Sequence, residues 1–393
     1  TGRVVVDMLP VIRANYSLKQ YNLKTVAHEL LKKEKLDVPP KEMASLWYGE
    51  LEDLVKFVKY ARRDAVLVMD MLKELKPLEK YIALAKVSGL LLQDVLDGGQ
   101  SGMVENLLLR KFKARNRVLP MKPREEVGNL RQEENENLAG GFVLDPETGL
   151  QEDVAILDYK SLYPTIMIAH NLCFSTVLLD RAAPEGMTVI TSPHGGMFVS
   201  HEVYKGIIPE VLEWLLDQRL QAKKAMKASK IDSERDLLDA KQYAYKILLN
   251  SFYGYSGYAR ARLYCLDVAN AVTSFGRSNI QKTVELIKDI KRVQIKNGQV
   301  TPGGYQFGLD VIYGDTDSLF IRIKGCDVDA DLAKLIGQYV AARATEKLPP
   351  PMELVFEAFA KRSVFLAKKR YAMWRFEEQG GEWKDKIKAK GIE

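Results

Sequence analysis

The chain has 393 residues, 47% of them apolar and 28% charged, and its 58 basic and 52 acidic side chains give a formal charge of +6. Such a length exceeds one ordinary core and predicts two or three structural units, while the mild basic excess permits a nucleic-acid partner without requiring one. Cys173, Cys265 and Cys326 are scattered and odd in number, and the four histidines have no H-E-x-x-H spacing; this excludes a disulfide framework, a zinc ribbon and a zinc hydrolase, and leaves three reduced thiols.

Taken in chain order, the start T-G-R-V-V-V-D reads as the interior of a fold and not as a signal peptide, and Val4 to Leu9 is a β-branched run expected as a strand. From Ala44 to Leu75 the pattern is helical, with Leu51, Leu54, Val55, Val58, Ala61, Ala65, Val68 and Leu72 at three- and four-residue steps and Pro77 marking an end. Residues 111–137 are polar and carry Pro120 and Pro123, as a mobile linker would. After Gly140-Gly141, the run from Asp153 to Asp158 reads as a strand with a carboxylate at its end, and Pro164 opens a new segment.

Gly206 to Lys227 is expected as a helix, with Ile208, Val211, Leu212, Leu215 and Leu216 on one face and Arg219, Lys223 and Lys227 on another. A turn over Ile231 to Glu234 would lead into a second, antiparallel helix near Leu237 to Ser251. Gly308 to Ile323 predicts two strands around the turn Gly314-Asp315-Thr316-Asp317, a hairpin with two carboxylates at its tip. No run of about 18 apolar residues occurs, so no membrane span is expected.

The acidic residues suggest chemistry. Two carboxylates about 4 Å apart repel by roughly 4 kcal/mol at an effective dielectric near 20, and a divalent cation would relieve that. Oxygen donors without histidine or thiolate favour Mg²⁺ over zinc. Two such ions could clamp the attacking and leaving oxygens of a phosphoryl transfer. Taken singly, each Asp reads first as a turn former or a strand-end residue, because short motifs match by accident. Arg219 and Lys223 share one helical face, and Lys246 and Asn250 share a face of the next helix with Tyr253 beyond. Such a set suits a polyphosphate, although a solvated basic face has the same pattern. No G-x-x-x-x-G-K-[ST] occurs, which disfavours a P-loop enzyme.

Four longer segments carry a resemblance. Asp158-Tyr159-Lys160-Ser161-Leu162-Tyr163-Pro164-Thr165-Ile166 resembles motif A of the family B (polymerase-alpha-like) DNA polymerases. Lys246-Ile247-Leu248-Leu249-Asn250-Ser251-Phe252-Tyr253-Gly254 resembles motif B, Tyr313-Gly314-Asp315-Thr316-Asp317-Ser318 resembles motif C, and Lys368-Lys369-Arg370-Tyr371 resembles the primer-binding motif. Tyr60 and Asp64 resemble the third exonuclease motif, Tyr-x-x-x-Asp.

The resemblance implies an α/β fold with an α+β palm, a helical fingers insertion and a remnant of an RNase H-like exonuclease domain. Residues 1–76 would be the end of the 3′–5′ exonuclease domain, 77–150 a linker and the start of the palm, 151–205 palm, 206–258 fingers and 259–393 palm. It further implies a DNA-directed DNA polymerase that transfers nucleotides from dNTPs to a primer 3′-OH. Asp158, Asp317 and the Tyr159 carbonyl would hold two Mg²⁺ ions, with Mn²⁺ as a substitute, and Asp315 would support them electrostatically. Ser161, Leu162, Tyr163, Arg219, Lys223, Lys246, Asn250, Tyr253 and Gly254 would bind the nucleotide, with Tyr163 as the gate against a ribose 2′-OH. Lys368, Lys369, Arg370 and Tyr371 would contact primer–template DNA. Thr273, Gly276 and Arg277 also fit a segment that recurs in the family.

Thr165 stands where serine is common, and Leu138 where the Tyr-x-Gly-Gly linker usually has tyrosine. The first two exonuclease motifs and the thumb that would follow Lys390-Gly391-Ile392-Glu393 are not expected in this chain, so proofreading is not expected of it. A sliding clamp would leave no signature in these residues. The setting would be the cytoplasmic nucleoid in an archaeon and the nucleus in a eukaryote. The rival reading is a catalytically silent, polymerase-like DNA-binding scaffold.

Overall fold

In the computed structural model, which describes residues 2–392 apart from 137, 139, 184, 297, 305 and 326, eight α-helices precede the first long strand among the described residues. They are α1 (Met8–Asn15), α2 (Leu23–Val26), α3 (Met43–Tyr48), α4 (Leu51–Glu74), α5 (Pro77–Ser88), α6 (Leu92–Asp97), α7 (Gln100–Lys113) and α8 (Glu125–Asn135). Then come β1 (Gly149–Tyr159), α9 (Leu162–Ala169), the hairpin of β2 (Val189–Thr191) and β3 (Met197–Val199), and the long helices α10 (Ile207–Ala228), α11 (Asp232–Ser256) and α12 (Leu266–Ile290). The chain closes on β4 (Arg292–Lys296), β5 (Gln299–Pro302), β6 (Phe307–Asp315), β7 (Ser318–Lys324), α13 (Ala330–Thr345), β8 (Leu354–Ala367), β9 (Arg370–Gln379) and β10 (Glu382–Lys390). The fold is thus a mixture of helices and antiparallel sheet, divided into two compact units: Thr1–Leu107 with Asp217–Leu248, and Leu108–Leu216 with Leu249–Glu393.

The first unit is helical. Its core gathers Met8, Val11 and Ile12 of α1 with Val26, Ala27, Leu31, and Leu67 and Met71 of α4. Leu67 and Met71, the buried residues of α4, are not on the stripe expected from periodicity, and of that stripe Leu51, Val55, Val58 and Val68 are exposed. An amphipathic helix specifies that one face is apolar, but the partner decides where along its length that face is covered. Val4 to Leu9 is not a strand. The Asp7 carboxylate accepts the Leu9 N–H at 2.9 Å and caps α1, so the helix starts inside the apolar run. Pro77 opens α5 and does not simply end α4, as suits a residue whose missing N–H would be unpaired there anyway. Lys76 is paired with Asp236, and Lys80 stands over the Tyr243 ring at 5.0 Å, which ties α5 to the first half of α11. That helix begins at Asp232, so the turn ahead of it is shorter than expected.

The second unit is organised by an eight-stranded antiparallel sheet in the order β10-β9-β8-β1-β7-β6-β4-β5. β1 is central, with β7 on one side and β8 on the other. Alternation sends Leu157 toward Gly337 of α13, and Tyr159 toward α12, where its hydroxyl lies 2.6 Å from Thr283 Oγ1. Ile156 and Asp158 therefore face the other way. On that side Ile156, Tyr313, Phe320, Phe365, Tyr371 and Met373 form a buried cluster, each large side chain contributing about 1.5–3 kcal/mol.

The segment 111–137 is not a linker throughout. It holds the end of α7 and all of α8, and α8 is held by side-chain bonds. Arg131 Nη1 donates to the Ala261 carbonyl at 3.1 Å, and Asn135 Nδ2 to that of Gly257 at 2.8 Å. Contacts to backbone more than a hundred residues away leave no trace in local polarity. Leu138 sits close to Gly257 in the same region. Cys173 and Cys265 are free thiols; Cys326 lies outside the described residues. Among the described residues no helix is long and apolar enough to cross a membrane.

A Cβ on Gly337 would lie 2.4 Å from the Phe356 ring and 3.4 Å from Leu157. Gly337→Val should therefore lower stability by roughly 3 kcal/mol through overpacking, read as a lower urea midpoint with an unchanged slope.

Candidate active site

Asp158 reaches its place because β1 and β7 pair in register, with Asp158 opposite Ser318. The Tyr159 N–H also donates to the Asp317 carbonyl at 2.8 Å, so the end of β1 is bound directly to the β6–β7 turn. In that turn Thr316 adopts a left-handed φ of 62°, and the Asp317 N–H returns to the Asp315 carbonyl at 2.7 Å. The result is a cleft of roughly 350 Å³ on the open face of the sheet, into which Asp158, Asp315, Asp317 and Glu357 bring carboxylates, and Lys369, Arg375, Lys388 and Lys390 bring cations.

The charges are unevenly matched. Burial, then Asp317 and Glu357, push the Asp158 carboxyl up to about 7, against the pull of Arg375 and Lys388. Asp317 is also raised, first by desolvation in the cleft wall and then by Asp315 and Glu357. Asp315 is different. It is buried, and its Oδ2 accepts from Lys390 Nζ at 2.7 Å. Arg375 is buried with Nη2 at 2.8 Å from Glu357, while its Nε stands 2.8 Å from Glu377 in a geometry too bent for a hydrogen bond. Two carboxylates thus carry charge that the protein leaves under-compensated.

A hard divalent ion fits that pair. Its donors here would be oxygens, with neither imidazole nor thiolate among the lining groups. Among the described residues no cluster of three or more His, Cys, Asp or Glu side chains forms a cage. An ion held there would complete its shell with water, as Mg²⁺ prefers.

Beside the cleft, Tyr163 on α9 packs its ring 4.5 Å from that of Tyr253 at an angle of 44°. A Cβ on Gly141 would lie 2.8 Å from Thr316 Cγ2 and 3.1 Å from the Tyr163 hydroxyl, so that position has no room for a side chain. Arg277 Nη1 secures the loop by donating to the Gly140 carbonyl at 2.9 Å. Gly276 borders Tyr163 and Leu162, whereas Thr273 is buried and bonded within α12, to the Asn270 carbonyl. Leu162 is buried, Ser161 is half-buried at a left-handed φ of 50°, and Asn250 and Gly254 are exposed.

Lys368 and Lys369 form the turn between β8 and β9. Lys368 Nζ is 3.0 Å from Asp145, and Lys369 Nζ 3.9 Å from Asp315. Arg370 is exposed, while Tyr371 is buried, its ring 5.8 Å from that of Tyr313 and 5.5 Å from that of Phe365. Arg219, Lys223 and Lys246 belong to the first unit. Arg219 is half-buried, its pKa lowered by burial, and its Nε has no hydrogen-bond partner; Lys246 is exposed. In the same unit Lys35 is paired with Asp64 and stands over the Tyr60 ring at 4.8 Å.

Sequence reasoning missed Glu357, Arg375, Lys388 and Lys390. A signal existed for the lysines: Lys384, Lys386, Lys388 and Lys390 recur every second residue, the mark of one basic strand face.

The model of the family described as DNA polymerase family B matches residues 90–393. The chain belongs to this family. It is 36% identical over 403 residues to the DNA polymerase delta catalytic subunit of Arabidopsis thaliana, covering 100% of this chain and 35% of that protein. It is 37% identical over 397 residues to the DNA polymerase of Thermococcus gorgonarius, covering 100% of this chain and 46% of that one. The family B DNA polymerase structure from the hyperthermophilic archaeon Pyrobaculum calidifontis matches with a TM-score of 0.69 at 28% identity, over 100% of this chain and 46% of that one. The chain thus spans between a third and a half of these relatives. As a family B DNA polymerase sequence it falls into a replication family with archaeal and eukaryotic members.

The Asp158 shift has a sign. A carboxyl whose pKa rises from 3.8 to about 7 on folding stabilises the fold fully below the lower value and loses that contribution as pH climbs through the upper one. In metal-free buffer the unfolding free energy should fall across this window, and Asp158→Asn should flatten the slope. An unchanged slope in the variant would mean that Asp158 is not buried beside a like charge.

Proposed function

We propose that this chain carries the nucleotidyl-transfer centre of a DNA-directed DNA polymerase, joining a dNTP to a primer 3′-OH with release of pyrophosphate. The observation that carries this reading is the Asp158–Asp317 pair, raised in pKa and set at the open face of the sheet beside the Tyr163–Tyr253 contact. Asp158 and Asp317, with the Tyr159 carbonyl, would hold two Mg²⁺ ions, and Mn²⁺ would substitute because it favours the same oxygen donors. When bound, such ions activate the attacking oxygen and neutralise charge on the leaving one.

The chain's own residues bind and orient. Tyr163 is held in place by the Tyr253 ring and the bare backbone of Gly141, so its ring can press on the sugar at C2′. Ser161 and Leu162 would act through backbone, since Leu162 is buried. Arg219, Lys223, Lys246 and Asn250 would take the triphosphate, and Tyr253 and Gly254 would pack beneath the nascent pair. Lys368, Lys369 and Arg370 lie at the β8–β9 turn and its edge, where phosphate contacts position a duplex. Tyr371, being buried, would set that turn from below. In domain terms, 151–205 and 259–393 would be palm, 206–258 fingers, 77–150 linker and start of palm, and 1–76 the end of an exonuclease domain carrying Tyr60 and Asp64. Unit boundaries at 216/217 and 248/249 support an insertion within 206–258, while the one at 107/108 divides the linker segment. The Lys35–Asp64 pair gives Asp64 a counter-cation already, which suits a structural part in this chain.

Asp158→Ala or Asp317→Ala should lower primer extension by more than about a hundredfold, because charge stabilisation at the reacting oxygens is lost, while primer–template affinity by fluorescence anisotropy stays level. A wild-type chain that binds DNA but never extends a primer in Mg²⁺ or Mn²⁺ would establish the silent-scaffold reading instead.

Tyr163→Ala should raise ribonucleotide incorporation relative to deoxyribonucleotide, since a built-in clash against the wrong sugar is removed. An unchanged ratio in a single-nucleotide extension assay would reduce Tyr163 to a packing residue.

A further inference from the structure

Asp315 and Asp317 lie two residues apart at one turn, yet the structure treats them oppositely. Asp317 is left facing Asp158 across the cleft, whereas Asp315 is met by an ammonium. Lys390 Nζ lies 2.7 Å from Asp315 Oδ2, a charge-assisted hydrogen bond to a carboxylate whose side chain is only 5% exposed. Lys369, at 3.9 Å from the other oxygen, is too distant to replace it. Lys390 pairs with Tyr371 in the β9–β10 ladder and lies 6.0 Å from that ring's centroid, so its stem runs along apolar surface and its head ends at Asp315.

The backbone beyond Lys390 is shaped for this. Gly391 takes a left-handed φ of 63°, and a Cβ there would fall 2.4 Å from the Lys369 carbonyl oxygen and 3.1 Å from Arg370 Cγ. Arg370 Nε also donates to the Gly391 carbonyl at 3.3 Å. The end of β10 is therefore seated on the β8–β9 turn, which aims the Lys390 side chain into the cleft.

We infer that Lys390 is a positioning residue that holds Asp315 in an ion pair, so that Asp158 and Asp317 alone present free carboxylate to the metal ions. This rests on the proposed metal-binding reading. Without the ammonium, the cleft would hold a third uncompensated carboxylate next to a pair already repelling one another. That charge would draw a cation more tightly but in the wrong place.

The test is equilibrium Mn²⁺ binding to the chain, followed by electron paramagnetic resonance, beside primer extension. Lys390→Met keeps the apolar stem and removes the charge. It should tighten Mn²⁺ binding by about fivefold, the effect of one added charge a few ångströms away at high effective dielectric, while extension slows. Lys390→Arg should restore both values. Asp315→Asn placed on Lys390→Met should bring Mn²⁺ affinity back to the wild-type value, because the freed charge is gone. That double variant also leaves no unpaired charge at position 315, so it keeps the question open to measurement if Lys390→Met alone does not fold. Gly391→Ala should shift Mn²⁺ affinity in the same direction as Lys390→Met by displacing the strand end.

An unchanged Mn²⁺ affinity in Lys390→Met, or one that Asp315→Asn does not reverse, overturns the inference. A failure of the underlying reading looks different: Asp158→Ala would then leave wild-type Mn²⁺ binding intact.

Discussion

The hydrogen-bonded register of β1 between β7 and β8 is the constraint on which the cleft depends. It sets Asp158 opposite Ser318, binds the Tyr159 N–H to the Asp317 carbonyl, and so brings two carboxylates from distant parts of the chain to one edge. Because strand side chains alternate, a slip of one residue would turn Asp158 toward the helices and bring Leu157 or Tyr159 into the cleft. Neither could be accommodated without loss. Tyr159 is bonded to Thr283 beneath α12, and Leu157 packs by Gly337 of α13. The helices on the closed face thereby fix which face carries the charge.

With the register set, electrostatics follow from what each carboxylate touches. Asp315 has Lys390, and Glu357 has Arg375. Among the described residues Asp158 and Asp317 have no such ion pair, and burial and neighbouring carboxylates raise both. A protein that wished only to be stable would have paired all four or replaced them with apolar residues. The aromatic cluster of Tyr313, Phe320, Phe365 and Tyr371 beneath the cleft provides a stiff floor, so the carboxylates cannot relax apart cheaply. The strain that remains is available to a cation.

The helical first unit shows the opposite economy. Lys33 pairs with both Asp70 and Glu74, and Lys35 with Asp64, so these three carboxylates of α4 are answered locally. One oxygen of Asp64 stays buried without a partner. The apolar side chains at Leu51, Val55 and Val58 remain open to solvent, although their spacing is that of a core stripe.

How much of this was legible beforehand depends on how far apart the interacting groups lie. The β6–β7 hairpin, the strand ending in Asp158, and helix α10 with Ile208, Val211, Leu212 and Leu215 buried were readable because their signals are local: alternation, a tight turn and a helical period. The family motifs were readable for the same reason, each being a contiguous run. Helix α8 has the local polarity of a linker because its anchors, the carbonyls of Gly257 and Ala261, are far away in sequence. The Val4 to Leu9 run was read as a strand because its β-branched residues outweighed the single capping Asp7. Residue types and spacing thus determined that carboxylates stand at strand ends and turns, and that a sheet and long helices would form. Only the tertiary structure decided that Lys390 is hydrogen-bonded to Asp315 while Asp158 and Asp317 feel cations only from a distance, since a charge is compensated by whatever stands within a few ångströms of it, and strand pairing chooses that neighbour from far along the chain.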